Sequence, residues 1–563
     1  MARHLKLVYL VLAVFYLASC SEPQNFSDGL NAYKAKQYQE AYQIWLPLAE
    51  EGEAKAQYNV AVMLIPGKGI AKDKKQGVLW LKKSAEGGYV KAQYTLAKAY
   101  LSGKLGIKKS KKSAVKWLQA AAKKGHEKSA YRLAVELEKI NAEKYEDNIV
   151  KWLRVAAKKG HVLASLALGD RHRLIKGVIP DAATESKWYR QAADRGNADA
   201  QYYLAQNYLK GHGLEKDPDK AVSLLERAAS QSMLKAQLQL AELYQEGNEV
   251  AYNYRAAMKW LEKAAKLGNA EAQANVAMMT FNGQGVPTDY VEAAWWFKKA
   301  AKKGHASSQH ALGTMHENGW GVKQDMAKAI EWFQKAVDLN YAPAQERLAR
   351  VYLNAESVAE DGSKAVVLFG LAAEQGDGNA EYSLAVLLEK GQFVEKDLAK
   401  AAKFYERAAE QKHANAQYNL ANMFRKGEGV EKDLEKANVL YYSAAKLGDP
   451  ESAYHLGLMS HKGEDVEQNF KRAAQWYKMA ANIGHIGALS NLGVMYAQGQ
   501  GVEQDIVLAY KWFGVGAKLG DDISKNNMET AEAEMDDEQI ATAQELINEF
   551  FEDRKRASLE RRL

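Results

Sequence analysis

An all-α fold, an α-solenoid of about thirteen 36-residue helical hairpins closed by terminal caps, is predicted by three observations. The first is a period. Leu384, Leu420, Leu456 and Leu492 are spaced 36 residues apart, and Val60, Leu96, Leu133, Leu168, Leu204, Leu240, Val276, Leu312 and Leu348 extend the series to thirteen copies. The second is a small residue immediately after each of these, always Ala or Gly, from Ala61 through Gly169 and Gly313 to Gly493. Two helices approach closely only where a side chain is nearly absent. The third is a doubled helical pattern within each copy. In NAQYNLANMFRKGEGVEKDLEKANVLYYSAAKLGDP (Asn415 to Pro450), apolar residues recur at helical spacing on either side of a Gly-x-Gly-Val turn.

Taken in chain order, residues 1–19 have the layout of an export signal. Arg3, His4 and Lys6 precede an apolar run of eleven residues, Leu7 to Leu17, followed by small Ala18 and Ser19. The run is too short to span a bilayer, which takes about 20 residues. Leu17-Ala18-Ser19-Cys20 resembles a bacterial lipoprotein signal, and Cys20 is the only cysteine in the chain. The resemblance implies cleavage before Cys20 and lipid attached to it. Ser21, rather than Asp, favours the outer membrane of a Gram-negative cell; a Gram-positive source would place the protein on the cell surface. Residues 20–53 are expected to hold the anchor, a short linker and a degenerate N-terminal hairpin over Phe26 to Gly52.

Residues 54–522 are the array. Its second helices carry a large residue at a fixed place, among them Trp80, Trp117, Trp152, Trp188, Trp260, Phe404 and Trp512, with an Ala-Ala pair four residues on at Ala192-Ala193, Ala264-Ala265 and Ala408-Ala409. Knob and notch let hairpins interlock. Glycines such as Gly160, Gly268 and Gly448 end these helices where a left-handed cap is wanted. No unit buries its apolar stripe alone, so stability rests on neighbour interfaces. Residues 523–563 form a helical cap, acidic at Glu529 to Glu538 and basic at Arg554-Lys555-Arg556, an order that complements a helix dipole.

The Ala-x-Tyr-x-Leu-Ala, Gly-x-Gly-Val and Trp-x-x-x-Ala-Ala features resemble the Sel-one-like repeat (SLR) family, relatives of the tetratricopeptide repeats. The resemblance runs from about Lys55 to Asp522. It implies a right-handed superhelix that binds other proteins along its curved surface.

Signatures of chemistry are scarce. The sequence has no phosphate-loop, His-Glu-x-x-His, Gly-x-Ser-x-Gly or EF-hand pattern. Gly211-His212-Gly213 and its equivalents lack the strand a nucleotide site needs, and Ser113-Ala-Val-Lys116 lacks its companion motifs. His126, His161, His305 and His485 follow glycines at the repeat spacing, too far apart to converge on one ion, and read as cap residues. Neither a metal nor a cofactor is expected.

Charge is polarised. Ala54 to Glu127 holds 17 Lys against Asp73, Glu86 and Glu127, a net charge of +14, while the rest of the chain after the leader sums to −9. Lys72, Lys74, Lys75, Lys108, Lys109, Lys111 and Lys112 mark a candidate surface for anionic headgroups or an anionic polymer, against the simpler reading of a solvated face. Nucleic acid is not an expected partner for an exported chain.

Departures from the repeat supply the candidate partner-binding residues. Arg171, beside Asp170, His172 and Arg173, places charge where Met279, Met315, Met423 and Met495 are apolar, and the alternative is a local ion pair. Trp320 stands between two turn glycines where other copies have Lys68, His212 or Gln500; His310 and His316 lie on the helix before it. The alternative for Trp320 is a ring folded onto its neighbour. Repeats three and nine lose the Gly-x-Gly turn at Ile140 to Asp147 and Asn354 to Gly362. The expectation is a non-catalytic, lipid-anchored periplasmic scaffold, with exopolysaccharide export or secretion assembly as the specific form. Its rival is a glycan- or peptidoglycan-binding envelope accessory or enzyme.

Overall fold

The computed structural model describes residues 25–174, 179–354 and 361–560, so Cys20, its leader and most of the altered turn of repeat nine lie outside the described residues. The described residues are α-helices joined by short connections, with one 3-10 turn at Lys104–Gly106. Helices Phe26–Lys34 and Tyr38–Glu50 form a starting pair, thirteen hairpins follow, and Asp522–Glu532 and Asp537–Glu560 end the chain. The expected all-α solenoid of repeat hairpins is what is observed. Two compact units divide it, one running to Gly268 with Gln284–Val286, the other comprising Asn269–Gly283 and Pro287 onward.

Each hairpin is closed at the small residue after the periodic leucine. A Cβ at Gly313 would stand 2.6 Å from the Phe333 ring, and one at Gly457 or Gly169 would stand 2.5 Å from Tyr477 or Tyr189. At Gly493 it would enter the Phe513 ring. The residue that fills the notch is the one after the large residue picked out by the repeat. Leu81, Leu118, Tyr189, Phe333 and Tyr441 are 0% exposed, whereas Trp80, beside Leu81, keeps 6%. The Ala-Ala pairs are buried as expected.

Successive hairpins are tied by polar contacts. Gln57, Gln93, Gln201, Gln237, Gln309 and Gln417 each donate from Nε2 to a carbonyl eight residues back, in the last turn of the preceding helix. These are carbonyls that a helix end leaves without an internal partner. Asp73, Asp325, Asp397, Asp433 and Asp505 cap the second helices by accepting a backbone N–H. Gly160, Gly268 and Gly448 adopt φ of 89, 90 and 94°, and the second turn glycine, such as Gly285, lies against backbone of the preceding helix at Tyr254. Repeat three keeps its hairpin without these glycines: its first helix runs on to Asn141 and its second starts at Glu146.

His126, His161, His305 and His485 stand at helix N-cap positions, where among them His485 accepts a backbone N–H, and histidines at this place also stack. His161, His413 and His485 lie on Tyr131, Tyr382 and Tyr454 at 4.3, 4.4 and 4.2 Å between ring centroids, each pair joining adjacent repeats.

Two predictions follow from this packing. Gly493→Leu overfills the notch and should destabilise by about 1 to 3 kcal/mol, and Gly493→Ala should lose less and recover stability when combined with Phe513→Leu, the pairing used by Ala61 and Leu81. Melting temperatures read this directly, and an unchanged value for Gly493→Leu would refute the seam. Burial lowers the pKa of His126, His161, His310, His413, His455 and His461. The unfolded chain therefore binds more protons below the ordinary histidine value near 6.5. Stability should be intact above that pH and fall as the solution is acidified towards pH 5; a melting temperature flat over this range would contradict it.

Candidate functional site

Trp320 sits at the tip of the turn after helix Ala306–Asn318 and is 41% exposed. Its backbone N–H donates to the Met315 carbonyl at 3.0 Å, and its ring packs on Phe281 at 5.5 Å and stacks over Tyr290 at 6.4 Å. The ring is thus both folded onto its neighbours and open to solvent. Gly321 lies against the Tyr290 backbone, which brings the turn onto the start of helix Tyr290–Ala301. There Tyr290, Val291 and Trp295 are 43, 67 and 51% exposed, Val291 and Trp295 sharing a face by their i, i+4 spacing. The Trp295 ring carries the Lys299 ammonium 3.5 Å from its centroid. Sequence reasoning singled out Trp320 and not the other three. The signal at Trp295 was partial: Lys116, Lys151, Lys187, Lys259, Lys403 and Lys511 occupy its position in other repeats, but so do the exposed Leu79, Val367 and Val439.

His310 and His316 do not join this strip equally. His310 lies between the rings of Phe333 and Tyr341 at 5.6 and 5.8 Å, and burial, helped by Arg347, lowers its pKa. It is a packing residue. His316 stays beside the turn, its Nδ1 3.3 Å from the Lys323 carbonyl.

The charges of repeat four are mostly spent within the fold. Arg171, 6% exposed, bridges Glu138 at 2.8 Å and Glu146 at 2.5 Å, so the ion-pair alternative describes it. His172 is equally buried. Asp170 accepts from the Tyr189 hydroxyl at 2.9 Å, and Arg173 donates to that hydroxyl at 3.1 Å while lying over the Tyr203 ring. None of the four projects freely towards a partner.

The seven lysines are all exposed. Lys74 and Lys75 open helix Lys74–Glu86, and Lys111 and Lys112 open Lys111–Lys123, with Lys72, Lys108 and Lys109 in the connections just before. Both groups occupy equivalent places in adjacent repeats and so form one edge. Later repeats neutralise this position with ion pairs between the capping Asp and a lysine three residues on, as in Asp217–Lys220 and Asp325–Lys328. Among the described residues none of the seven has an ion-pair partner within 4 Å. Cations at a helix N-terminus oppose the dipole, so an external anion would be favoured there. No group of three or more His, Cys, Asp or Glu is arranged to hold a metal ion, and no helix is long and apolar enough to cross a membrane, among the described residues.

Comparison with known proteins agrees with the repeat geometry. A family model described as the Sel1 repeat matches residues 54–89, 90–126, 187–197, and each successive segment from 198 to 521, more than half of the chain. Residues 127–186, which hold the ion pairs of Arg171, fall outside its matches although they form two hairpins. A solved protective antigen present in uropathogenic Escherichia coli strains, displaying an SLR fold, is 27% identical, with 91% of this chain and 94% of that one covered and a TM-score of 0.54. A Sel1 repeat protein from Oxalobacter formigenes is 30% identical over 44% of this chain and 99% of its own, with a TM-score of 0.41. Among curated proteins nothing matches. The chain belongs to the Sel1 repeat family.

Proposed function

We propose that this protein is a non-catalytic scaffold of the bacterial cell envelope, held by lipid on Cys20 at the periplasmic face of the outer membrane and binding protein partners through its repeats. Sel1 repeats generally mediate protein–protein interactions. The observation that carries the reading is the strip of Tyr290, Val291, Trp295 and Trp320, where the exposed Trp320 ring stacks over exposed Tyr290 at the start of the helix that also exposes Val291 and Trp295. Aromatic residues of this kind are where binding energy concentrates. The leader supports the anchor, and export at an envelope surface suits exopolysaccharide export or secretion assembly as the process served.

A second reading is favoured by the lysine edge, whose unneutralised charge suits anionic headgroups or an anionic glycan. The two readings use different surfaces and are tested separately.

Cross-linked capture from intact cells should recover partners with the parent chain and lose them with Trp320→Ala, by about 2 kcal/mol or more if the strip is a hot spot, with the helical circular dichroism signal unchanged. Equal recovery by Trp320→Ala and Trp295→Ala would remove the strip from the interface. Retention on anionic liposomes or anionic polysaccharide should weaken with salt and disappear when Lys72, Lys74, Lys75, Lys108, Lys109, Lys111 and Lys112 are changed to Gln. Retention that survives those changes would assign the binding elsewhere.

A further inference from the structure

Position nine of the first helix, apolar and buried at Met63, Leu243, Met279 and Met315, is polar in three successive repeats, as Glu136, Arg171 and Asn207, each no more than 6% exposed. The third of these has a companion. Glu185, 3% exposed, stands in helix Ala182–Ala193 where Ala221, Ala257, Ala293 and Ala329 stand in the repeats that follow. A buried carboxylate is expensive unless a cation matches it. Arg171 is matched by Glu138 and Glu146, but among the described residues Glu185 has only the amide of Asn207, 3.1 Å from Oε1 and bonded also to the Ser186 hydroxyl, and the half-exposed His212 imidazole, 3.3 Å from Oε2.

An open cleft of about 680 Å³ lies over this pair, lined also by His172, Arg173, Tyr202 and Tyr203. His172 is 6% exposed. Its Nδ1 lies 3.2 Å from the Ile179 carbonyl and donates to it, which leaves Nε2 as an acceptor, buried and, among the described residues, without a partner. Orphaned buried polar atoms are rare in folded proteins. Arg173 is engaged by Asp170 and Tyr189, and the exposed Lys210 is balanced in the same lining by Glu185 and Asp181. Apart from tyrosine rings its apolar lining is limited to Pro180 and Ala182, too little to seat the apolar anchors on which protein interfaces depend. What the cleft offers is acceptors, the Lys210 ammonium and aromatic faces at near-neutral overall charge.

We infer that this cleft is a binding site for a neutral saccharide, whose hydroxyls donate to Glu185 and to Nε2 of His172 and accept from Lys210. The inference goes beyond the scaffold reading and does not depend on it, since the partner strip lies on other repeats. The test is saturation-transfer NMR on the full chain with chitotetraose, maltotetraose and cellotetraose. Transfer to at least one is expected, weakened at least about tenfold, the size of one hydrogen bond to a charged group, in Glu185→Ala and in Glu185→Ala with Asn207→Leu. These substitutions install residues used at the same positions by other repeats, so both variants should keep their helical signal and melt no lower than the parent. No transfer to any of the three at millimolar concentration, or transfer undiminished in the double variant, would overturn the inference. So would a preference for an anionic oligosaccharide or a peptide over all three. Loss of saccharide with Trp320-dependent partner capture intact would leave the two sites independent.

Discussion

Close approach of two helices at a single small residue is the constraint on which the array depends. Where that residue is glycine, at positions 169, 313, 457 and 493, the opposing residue is a ring: Tyr189, Phe333, Tyr477 and Phe513. Where it is alanine, leucine often suffices, as with Ala61 and Leu81 or Ala241 and Leu261, all at most 1% exposed. Elsewhere alanine faces a ring, as Ala385 does Tyr405 and Ala421 does Tyr441, so what is fixed is the smallness of one side of the contact. With the spacing of each hairpin fixed, every repeat presents its neighbour with the same surface, and side chains away from the seam are free to change.

Stacking then needs the helix ends satisfied as well as the apolar stripe buried. The glutamines that reach back eight residues and the histidine–tyrosine stacks serve that need between repeats, and both recur with the period. A repeat array is stable as a sum of such nearest-neighbour terms. An isolated hairpin would leave both the glutamine acceptors and the ring faces without partners.

Features repeated with a visible property were legible in the sequence: the period, the small residue, the capping glycines and the hairpin turn. The residue opposite that small position received no assignment from the sequence, because Trp80, buried as well, stands beside it and is larger. The glutamines escaped notice because their partners are backbone carbonyls, which carry no sequence signature. Arg171 looked like surface charge since its two carboxylates come from Glu138 and Glu146, 33 and 25 residues earlier. Trp320 was legible as a break in a repeated position, whereas Trp295 was hidden beside the expected aromatic at Trp296.

Breaks in a repeat are therefore of two physical kinds, and charge matching separates them. A buried arginine set between two carboxylates answers its own electrostatic demand, and exchanging such an arrangement for apolar residues is often close to neutral in stability. Nothing outside the fold has to be invoked for it. A buried carboxylate answered by an amide and a half-exposed imidazole, next to an imidazole nitrogen with no partner, leaves the demand unmet. Replacing it with the alanine used elsewhere in the array would relieve the chain of that burden, so its presence points outward, to donors that arrive with a ligand. The same reasoning applies to the exposed strip around Trp320: its rings are larger than stacking demands, and what they leave uncovered is complementary to something beyond the chain.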